Sequence, residues 1–295
     1  MDSQPVIELR NLTKFYGKSR GVLGVDLTVR QGEIYGFLGP NGAGKSTTIN
    51  MLLDIIRPTT GEIMLFGQPN TGNTAEIRRR IAYLAGDMEL YSTLTGWQYI
   101  QLVGEISGDW SKKRAHELAD QLEANVTKKI HSLSRGNRQK ISLIAALARN
   151  TKLLILDEPT SGLDPLIQKQ FRDLMHDYQK DGGTVFISSH VLSEVQTLCD
   201  RVAFIREGKI IDTGTLTELL SNVPKRVIVK APKEILDKIA RAHKVKRSDG
   251  HVQFDIHGSA GPILAKLPLE KIDDITVAPP ELEEIFMSFY EGGVQ

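Results

Sequence analysis

Two acids, a lysine, a serine and a histidine are spaced along this chain so that together they could handle a phosphate. The stretch Gly39-Pro40-Asn41-Gly42-Ala43-Gly44-Lys45-Ser46-Thr47 fits the pattern G-x-x-x-x-G-K-[ST]. Its glycines let successive backbone N–H groups converge on phosphate oxygens, while the lysine and the hydroxyl can reach a terminal phosphate and Mg²⁺. Leu153-Leu154-Ile155-Leu156 is a continuous aliphatic run that ends in Asp157-Glu158. A strand buried on both faces has this composition, and ligands of open parallel sheets gather at the carboxyl ends of the strands. Adjacent carboxylates there could be solvent-exposed turn acids, or they would divide two tasks, Mg²⁺ binding by one and water activation by the other. Thr184-Val185-Phe186-Ile187 is a second buried run, ending at Ser188-Ser189-His190. His190 could simply cap the next helix. Facing the same edge as Glu158, it could instead hold a terminal phosphate and the attacking water.

The elements around these residues suit the task. Glu33 to Leu38 is a short apolar run fit for a buried strand, and Ile49, Leu52, Leu53 and Ile56 recur at helical spacing after the glycine loop. The order strand, loop, helix delivers phosphate to a helix N-terminus, where unsatisfied N–H groups and the dipole favour an anion. Arg57-Pro58 should stop that helix. Leu133-Ser134-Arg135-Gly136-Asn137 opens another helix, whose apolar face is Ile141, Ile144, Ala145, Leu147 and Ala148. Ser134 stands where an N-cap belongs, and the same geometry also makes a second anion site. Val6 to Leu9 and Val25 to Val29 alternate like half-buried antiparallel strands. Between them, the aromatic rings of Phe15-Tyr16 could be ordinary packing or could stack on a purine. Thr60 to Gly67 and Ile81 to Leu84 read as further strands. From about Thr95 to Asn125 the pattern turns helical, which predicts an insertion entered through the loop Gly86 to Tyr91. Leu90, Tyr91 and Trp97 near its entrance would pack internally or form a docking surface.

The length of 295 residues fits a domain of some two hundred residues plus a small one. We place the division at 1–222 and 223–295, with the helical insertion over about 86–150. In the second part the order is strand, helix, strand, strand, helix, strand, the ferredoxin-like split pattern, with Asp249-Gly250 as a hairpin turn and a last helix from Pro280 to Tyr290. The net charge of +1 argues against a nucleic-acid partner, and the basic run Arg78-Arg79-Arg80 reads as a solvated face. No stretch approaches the roughly eighteen apolar residues of a membrane span, and the first residues do not resemble a signal peptide. The expectation is a soluble, intracellular chain. The single cysteine, Cys199, reads as a small buried hydrophobe.

With the glycine loop, the Leu-Ser-x-Gly segment, the aliphatic strand ending Asp157-Glu158 and the distal His190 all in order, the chain closely resembles the nucleotide-binding subunit of an ATP-binding cassette (ABC) transporter. The match covers roughly Val6 to Leu220. The tail containing Glu281-Leu282-Glu283-Glu284-Ile285-Phe286 is similar to that of exporter ATPases that pair with a separate permease. The resemblance implies an α/β P-loop ATPase core with an antiparallel β subdomain and a helical subdomain, and ATP and Mg²⁺ as ligands. It implies that Tyr16 stacks on adenine, that Gly39 to Thr47, including Asn41, Gly42, Ala43 and Gly44, cradles the phosphates, and that Lys45 is their cation. Ser46 would ligate Mg²⁺, and Asp157 would hold the ion directly or through its ligands. Glu158 would be the general base, His190 the switch histidine, and Asp164 a turn acid that touches the opposite subunit. Ser134, Gly136 and Asn137 would contact ATP across a dimer interface, because two cassettes of this family face head to tail. A second nucleotide-binding subunit and a membrane permease are therefore the implied partners, with the chain peripheral on the inner face of the membrane. Three positions depart from the family pattern. Gly86 stands where glutamine is usual, with Asp87 after it as a substitute contact to Mg²⁺ and water. Arg135 replaces a glycine and Asn137 a glutamine. Two rival readings are a non-transport cassette ATPase and a nucleotide-binding regulator of low turnover.

Overall fold

The structure, a computed structural model, describes residues 4–71, 75–86, 90–160, 163–221, 225–242, 245–248, 250–256 and 259–278. Asp87 and the helix expected over Pro280–Tyr290 lie outside the described residues. The chain divides into two compact units, Met1–Thr213 and Gly214–Gln295.

In the first unit, β1 (Pro5–Tyr16) and β2 (Ser19–Arg30) pair antiparallel, and their alternating residues bury one face. All five residues of β3 (Ile34–Leu38) are buried. The glycine loop then leads into α1 (Lys45–Leu52). This helix ends before the stop expected at Arg57-Pro58. Asp54 adopts φ 54°, and the N–H groups of Ile55 and Ile56 turn back to the carbonyl of Asn50, so the chain has left helical geometry by Asp54. β4 (Thr60–Leu65) and β5 (Gln68–Pro69) complete a four-stranded sheet in the order β2-β1-β4-β5.

After α2 (Ala75–Arg79) and β6 (Ile81–Leu84) comes the helical insertion, with α3 (Gly96–Ser107), α4 (Lys112–Gln121) and α5 (Arg135–Leu147). Thr95 and Gln98 start α3 with reciprocal side chain to backbone bonds, a capping box. Trp97 stacks on His116 of α4 with ring centroids 4.1 Å apart, so it serves internal packing. Leu90 is buried, whereas Tyr91 is 65% exposed. The chain then runs through β7 (Leu153–Asp157), α6 (Pro165–Lys180), β8 (Thr184–Ser189), α7 (Leu192–Leu198), β9 (Arg201–Arg206) and β10 (Lys209–Thr215).

These strands build a six-stranded sheet in the order β10-β9-β3-β8-β7-β6. The pairings β3·β8, β8·β7, β7·β6 and β3·β9 are all parallel. Because β3, β8 and β7 are adjacent and parallel, their carboxyl ends emerge side by side: Leu38 is level with Ser189, and Ser188 with Asp157. Register alone thus gathers the glycine loop, Ser188-Ser189-His190 and Asp157-Glu158 at one edge. A core of side chains from both sheets holds that edge, among them Ile7, Val29, Phe37, Ile155 and Phe186. Phe37 and Phe186 lie with ring centroids 5.5 Å apart. Each large apolar side chain so buried contributes about 1.5–3 kcal/mol, and none of these is polar enough to interrupt the sheet.

The second unit contains α8 (Leu216–Ser221), β11 (Lys225–Lys230), α9 (Lys233–Ala242), β12 (Lys246–Ser248), β13 (His251–Ile256), α10 (Gly261–Leu264) and β14 (Asp274–Ala278). Its strands lie in the order β12-β13-β11-β14, every neighbour antiparallel. That interleaving is what a split β-α-β pattern requires. Val227, Val229, Val252 and Phe254 form its core with Ile235 and Ile239 of α9.

Candidate active site

The phosphate loop is shaped by its glycines and by the lysine folded along it. Gly44 caps α1 with φ 112°, and a Cβ there would come within 2.9 Å of the Gly21 carbonyl, so both conformation and space demand glycine. Lys45 is 5% exposed. Its Nζ donates to the carbonyls of Gly39 (2.8 Å) and Pro40 (3.2 Å) and lies 3.3 Å from Glu158 Oε1. A buried ammonium must be paired, and here loop carbonyls and a carboxylate hold it at the mouth of the loop.

Asp157 and Glu158 face different partners although they are neighbours. Asp157 is buried, and each of its oxygens takes one hydroxyl: Ser46 Oγ donates to Oδ2 at 2.9 Å, and Ser188 Oγ donates to Oδ1. Ser46 and Asp157 thus bring only oxygen atoms together beside the phosphate loop, a donor set that suits a hard cation such as Mg²⁺. Burial and the nearby Asp157 carboxylate push the Tyr83 phenol up to about 12, so Tyr83 stays neutral beside the acid. Glu158 turns away at φ 47°, an uncommon conformation for a residue with a side chain. Its N–H donates to the Ser188 carbonyl (3.1 Å) and lies 3.2 Å from Ser188 Oγ. The side chain spans two cationic or protonatable groups, with Oε1 toward Lys45 and Oε2 3.1 Å from His190 Nδ1. A carboxylate held next to a phosphate loop and an imidazole can take a proton from a water in that space.

A cleft of roughly 200 Å³ lies over the loop and is lined by Tyr16, Asn41, Gly42, Gly44, Lys45, Ser46, Thr47 and Glu158. Tyr16 is 49% exposed at the rim, its ring beside Gly21 and with Lys14 Nζ over it, 5.5 Å from the ring centroid. Two loop residues expected to touch the nucleotide, Ala43 and Gly39, are not among those that line this cleft. Ala43 packs in the core, its N–H donating to Pro40 O (3.1 Å) and its carbonyl accepting from Gly208 (2.9 Å). Gly39 donates its N–H to Ser189 O (3.2 Å) and holds Lys45 through its own carbonyl, so it acts on the loop's shape.

Ser134, Gly136 and Asn137 sit at the start of α5 and none lines this cleft. Ser134 caps the helix by accepting from Asn137 N (3.3 Å). The Asn137 amide, expected to contact ATP, is committed to the backbone of Asn125, accepting from its N–H (2.8 Å) and donating to its carbonyl (3.0 Å). Asp164 caps α6 by accepting from the N–H groups of Leu166 (3.1 Å) and Ile167 (3.0 Å). At Gly86 a Cβ would come within 2.9 Å of the Asp157 carbonyl. A glutamine would not fit there without a backbone shift, which gives the departure a steric reason. Arg20 and Ser188 carry parts of the site that the sequence pattern did not single out. Arg20 joins the cleft beside Tyr16 while paired with Glu207 at 3.0 Å, and Ser188 braces both acids. The one sequence signal for Ser188 was a pair of hydroxyls at the end of an aliphatic strand.

A parallel sheet that presents a glycine loop, a buried aspartate and a glutamate–histidine pair on one edge, with an antiparallel sheet and a helical insertion attached, defines a P-loop ATPase of the cassette type. The ABC transporter family pattern matches residues 22–161. The bacitracin transport ATP-binding protein BcrA of Bacillus licheniformis is 35% identical over 98% of this chain and 98% of its own length. The daunorubicin/doxorubicin resistance ATP-binding protein DrrA of Streptomyces peucetius is 35% identical over 89% of this chain and 81% of its own. Among solved structures, an ATP-binding subunit of an ABC transporter superposes with a TM-score of 0.67 at 27% identity, covering 72% of this chain and 91% of that one. A dimeric cassette in a post-hydrolysis state bound to ADP and Pi superposes with a TM-score of 0.64 at 26% identity, covering 71% and 98%. The chain belongs to the ATP-binding subunits of ABC transporters, and it is an ATPase of that family.

Proposed function

We propose that two such cassettes, each binding Mg-ATP at its phosphate loop, power export through a separate membrane permease, and that Glu158 is the base of the hydrolysis they perform. Export is favoured by the relatives, which include the bacitracin and daunorubicin/doxorubicin proteins and the linearmycin resistance ATP-binding protein LnrL of Bacillus subtilis, 30% identical over 96% of this chain. Pairing is favoured by the dimeric cassettes among the structural neighbours. Among the described residues, no helix is long and apolar enough to cross a membrane, so the transport pathway would come from the partner.

The observation that carries the assignment of the base is the position of Glu158, 3.3 Å from Lys45 Nζ and 3.1 Å from His190 Nδ1 beside the phosphate loop. In this reading Tyr16 stacks on the base of the nucleotide, and the loop amides with Lys45 neutralise charge as it develops on the transferred phosphoryl group. Ser46 and Asp157 would hold Mg²⁺, which when bound supplies further charge neutralisation at the phosphates. Glu158 accepts the proton of the attacking water, and His190 steadies the Glu158 carboxylate. Ser134 and Gly136 would serve the nucleotide of the opposite cassette. Glu158→Gln keeps the size and removes the base. We expect ATP binding within about threefold of wild type and a fall in steady-state hydrolysis of at least about a hundredfold. Phosphate release at the wild-type rate would remove Glu158 from this role.

A further inference from the structure

A second cleft of roughly 270 Å³ opens beside Glu158 and His190, and Glu194 forms part of its wall. Glu194 lies in the first turn of α7, where an acid would ordinarily do no more than complement the helix dipole. Its Oε2, however, serves two other segments. It accepts from Thr160 Oγ1 at 2.6 Å and lies 3.1 Å from Ser189 Oγ. Both hydroxyl residues are buried, Thr160 at 5% and Ser189 at 2% exposure. Ser189 Oγ also accepts the N–H of Val191 at 2.9 Å. Thr160 stands two residues after Glu158, and Ser189 stands one before His190. One carboxylate oxygen therefore ties the chain leaving Glu158 to the chain entering His190.

This tie bears on the geometry of the base. Glu158 holds a positive φ, which persists in a non-glycine residue only when the surroundings over-determine it. Three anchors supply that constraint. Ser188 takes the Glu158 N–H, Gln139 Nε2 donates to the Pro159 carbonyl at 2.8 Å, and Thr160 is held by Glu194. The first two fix the strand side and the α5 side. Among the described residues, only the Glu194 bond links Thr160 to the histidine loop.

We propose that Glu194 is a positioning residue for ATP hydrolysis, holding Glu158 and His190 at their working separation through Thr160 and Ser189. The proposal rests on the reading of Glu158 as the base. The test is steady-state ATPase kinetics and nucleotide binding on the full chain. Glu194→Ala should lower kcat by about 10- to 100-fold, with KM for ATP and ATP affinity changed by less than about threefold. Glu194→Gln, which keeps an acceptor oxygen, should recover kcat to within about threefold of wild type. Thr160→Val should reproduce the Glu194→Ala loss, and the double variant should be no worse than Glu194→Ala alone, since both cut one tie. Thr160→Val also carries the test if circular dichroism shows that Glu194→Ala does not fold. Unchanged kcat in Glu194→Ala and Thr160→Val, or additive losses without rescue by glutamine, would overturn the proposal while Glu158→Gln remains inactive. Normal turnover in Glu158→Gln would instead remove the base reading and this inference with it.

Discussion

Asp157 accepts two serine hydroxyls that differ in one respect, and that difference makes a quantitative prediction. Ser188 is fully buried, whereas Ser46 is exposed at the cleft. Replacing either with alanine removes one hydroxyl and almost no volume, so a cavity term is negligible. In Ser188→Ala, Asp157 Oδ1 loses its donor inside the protein where water cannot replace it. A hydrogen bond to a charged group contributes about 1.5–3 kcal/mol. The Glu158 N–H adds nothing to the loss, since it keeps the Ser188 carbonyl at 3.1 Å. Ser188→Ala should therefore destabilise the first unit by about 2 kcal/mol. For a unit of about two hundred residues that corresponds to a fall in Tm of about 4–8 °C. In Ser46→Ala, water can take over at Oδ2, and the loss should stay below about 1 kcal/mol. Differential scanning calorimetry without nucleotide measures both, following the transition of the larger unit because a chain with two compact units need not unfold in one step. Activity should reverse the order of severity, with Ser46→Ala raising the Mg²⁺ concentration needed for turnover. Equal thermal shifts in the two variants, or a Ser188→Ala shift under about 1 °C, would refute the claim that burial separates the two hydroxyls.

Other parts of the molecule give sharper but smaller tests. Burial pushes the Cys199 thiol up, and Cys199 packs against Gly36, so a thiol reagent at neutral pH should label the chain only at the rate at which it opens. Fast stoichiometric labelling of the folded protein would contradict that burial. Glu33 is buried, and desolvation raises its carboxyl above the usual value of 4.5 in spite of the bond from Arg30 N–H and the nearby Arg201. A carboxyl raised in the fold binds more protons folded than unfolded, so its contribution to stability declines as pH rises above 4.5 toward the folded value. Glu33→Gln should therefore gain stability relative to wild type between pH 4 and pH 7 in urea titrations, and a parallel pH profile in the two proteins would count against it.

The helix expected from Ile49 through Ile56 shows how far local pattern reaches. Apolar spacing continued past Leu52, but the chain turned at Asp54 and brought Ile56 to the same core by another route. Periodicity reports which residues are buried, and it does not report which backbone path buries them. The same limit applies at the site. The types and order of Lys45, Ser46, Asp157, Glu158 and His190 were legible because each ends an apolar strand or opens a helix, and parallel strands must present their carboxyl ends together. Bracing by Ser188, Gln139 and Glu194 was not, since their bonds reach up to 34 positions along the chain, and a pair of hydroxyls at the end of a strand says nothing of which acid Ser188 holds.

What the amino-acid order determined was the chemistry: a glycine loop with its lysine, two acids after a buried strand, and a histidine after the next. It also determined two separate hydrophobic patterns, one for a layered α/β unit and one for a smaller α+β unit. Tertiary structure decided which groups meet. It set Ser188 level with Asp157, folded Lys45 back between its own loop carbonyls and Glu158, turned Ala43 into the core, and spent the Asn137 amide on Asn125. The physical reason is that hydrogen bonds and ion pairs act over about 3 Å. Strand register and the direction of a single side chain decide at that scale, and both are set only when distant segments pack.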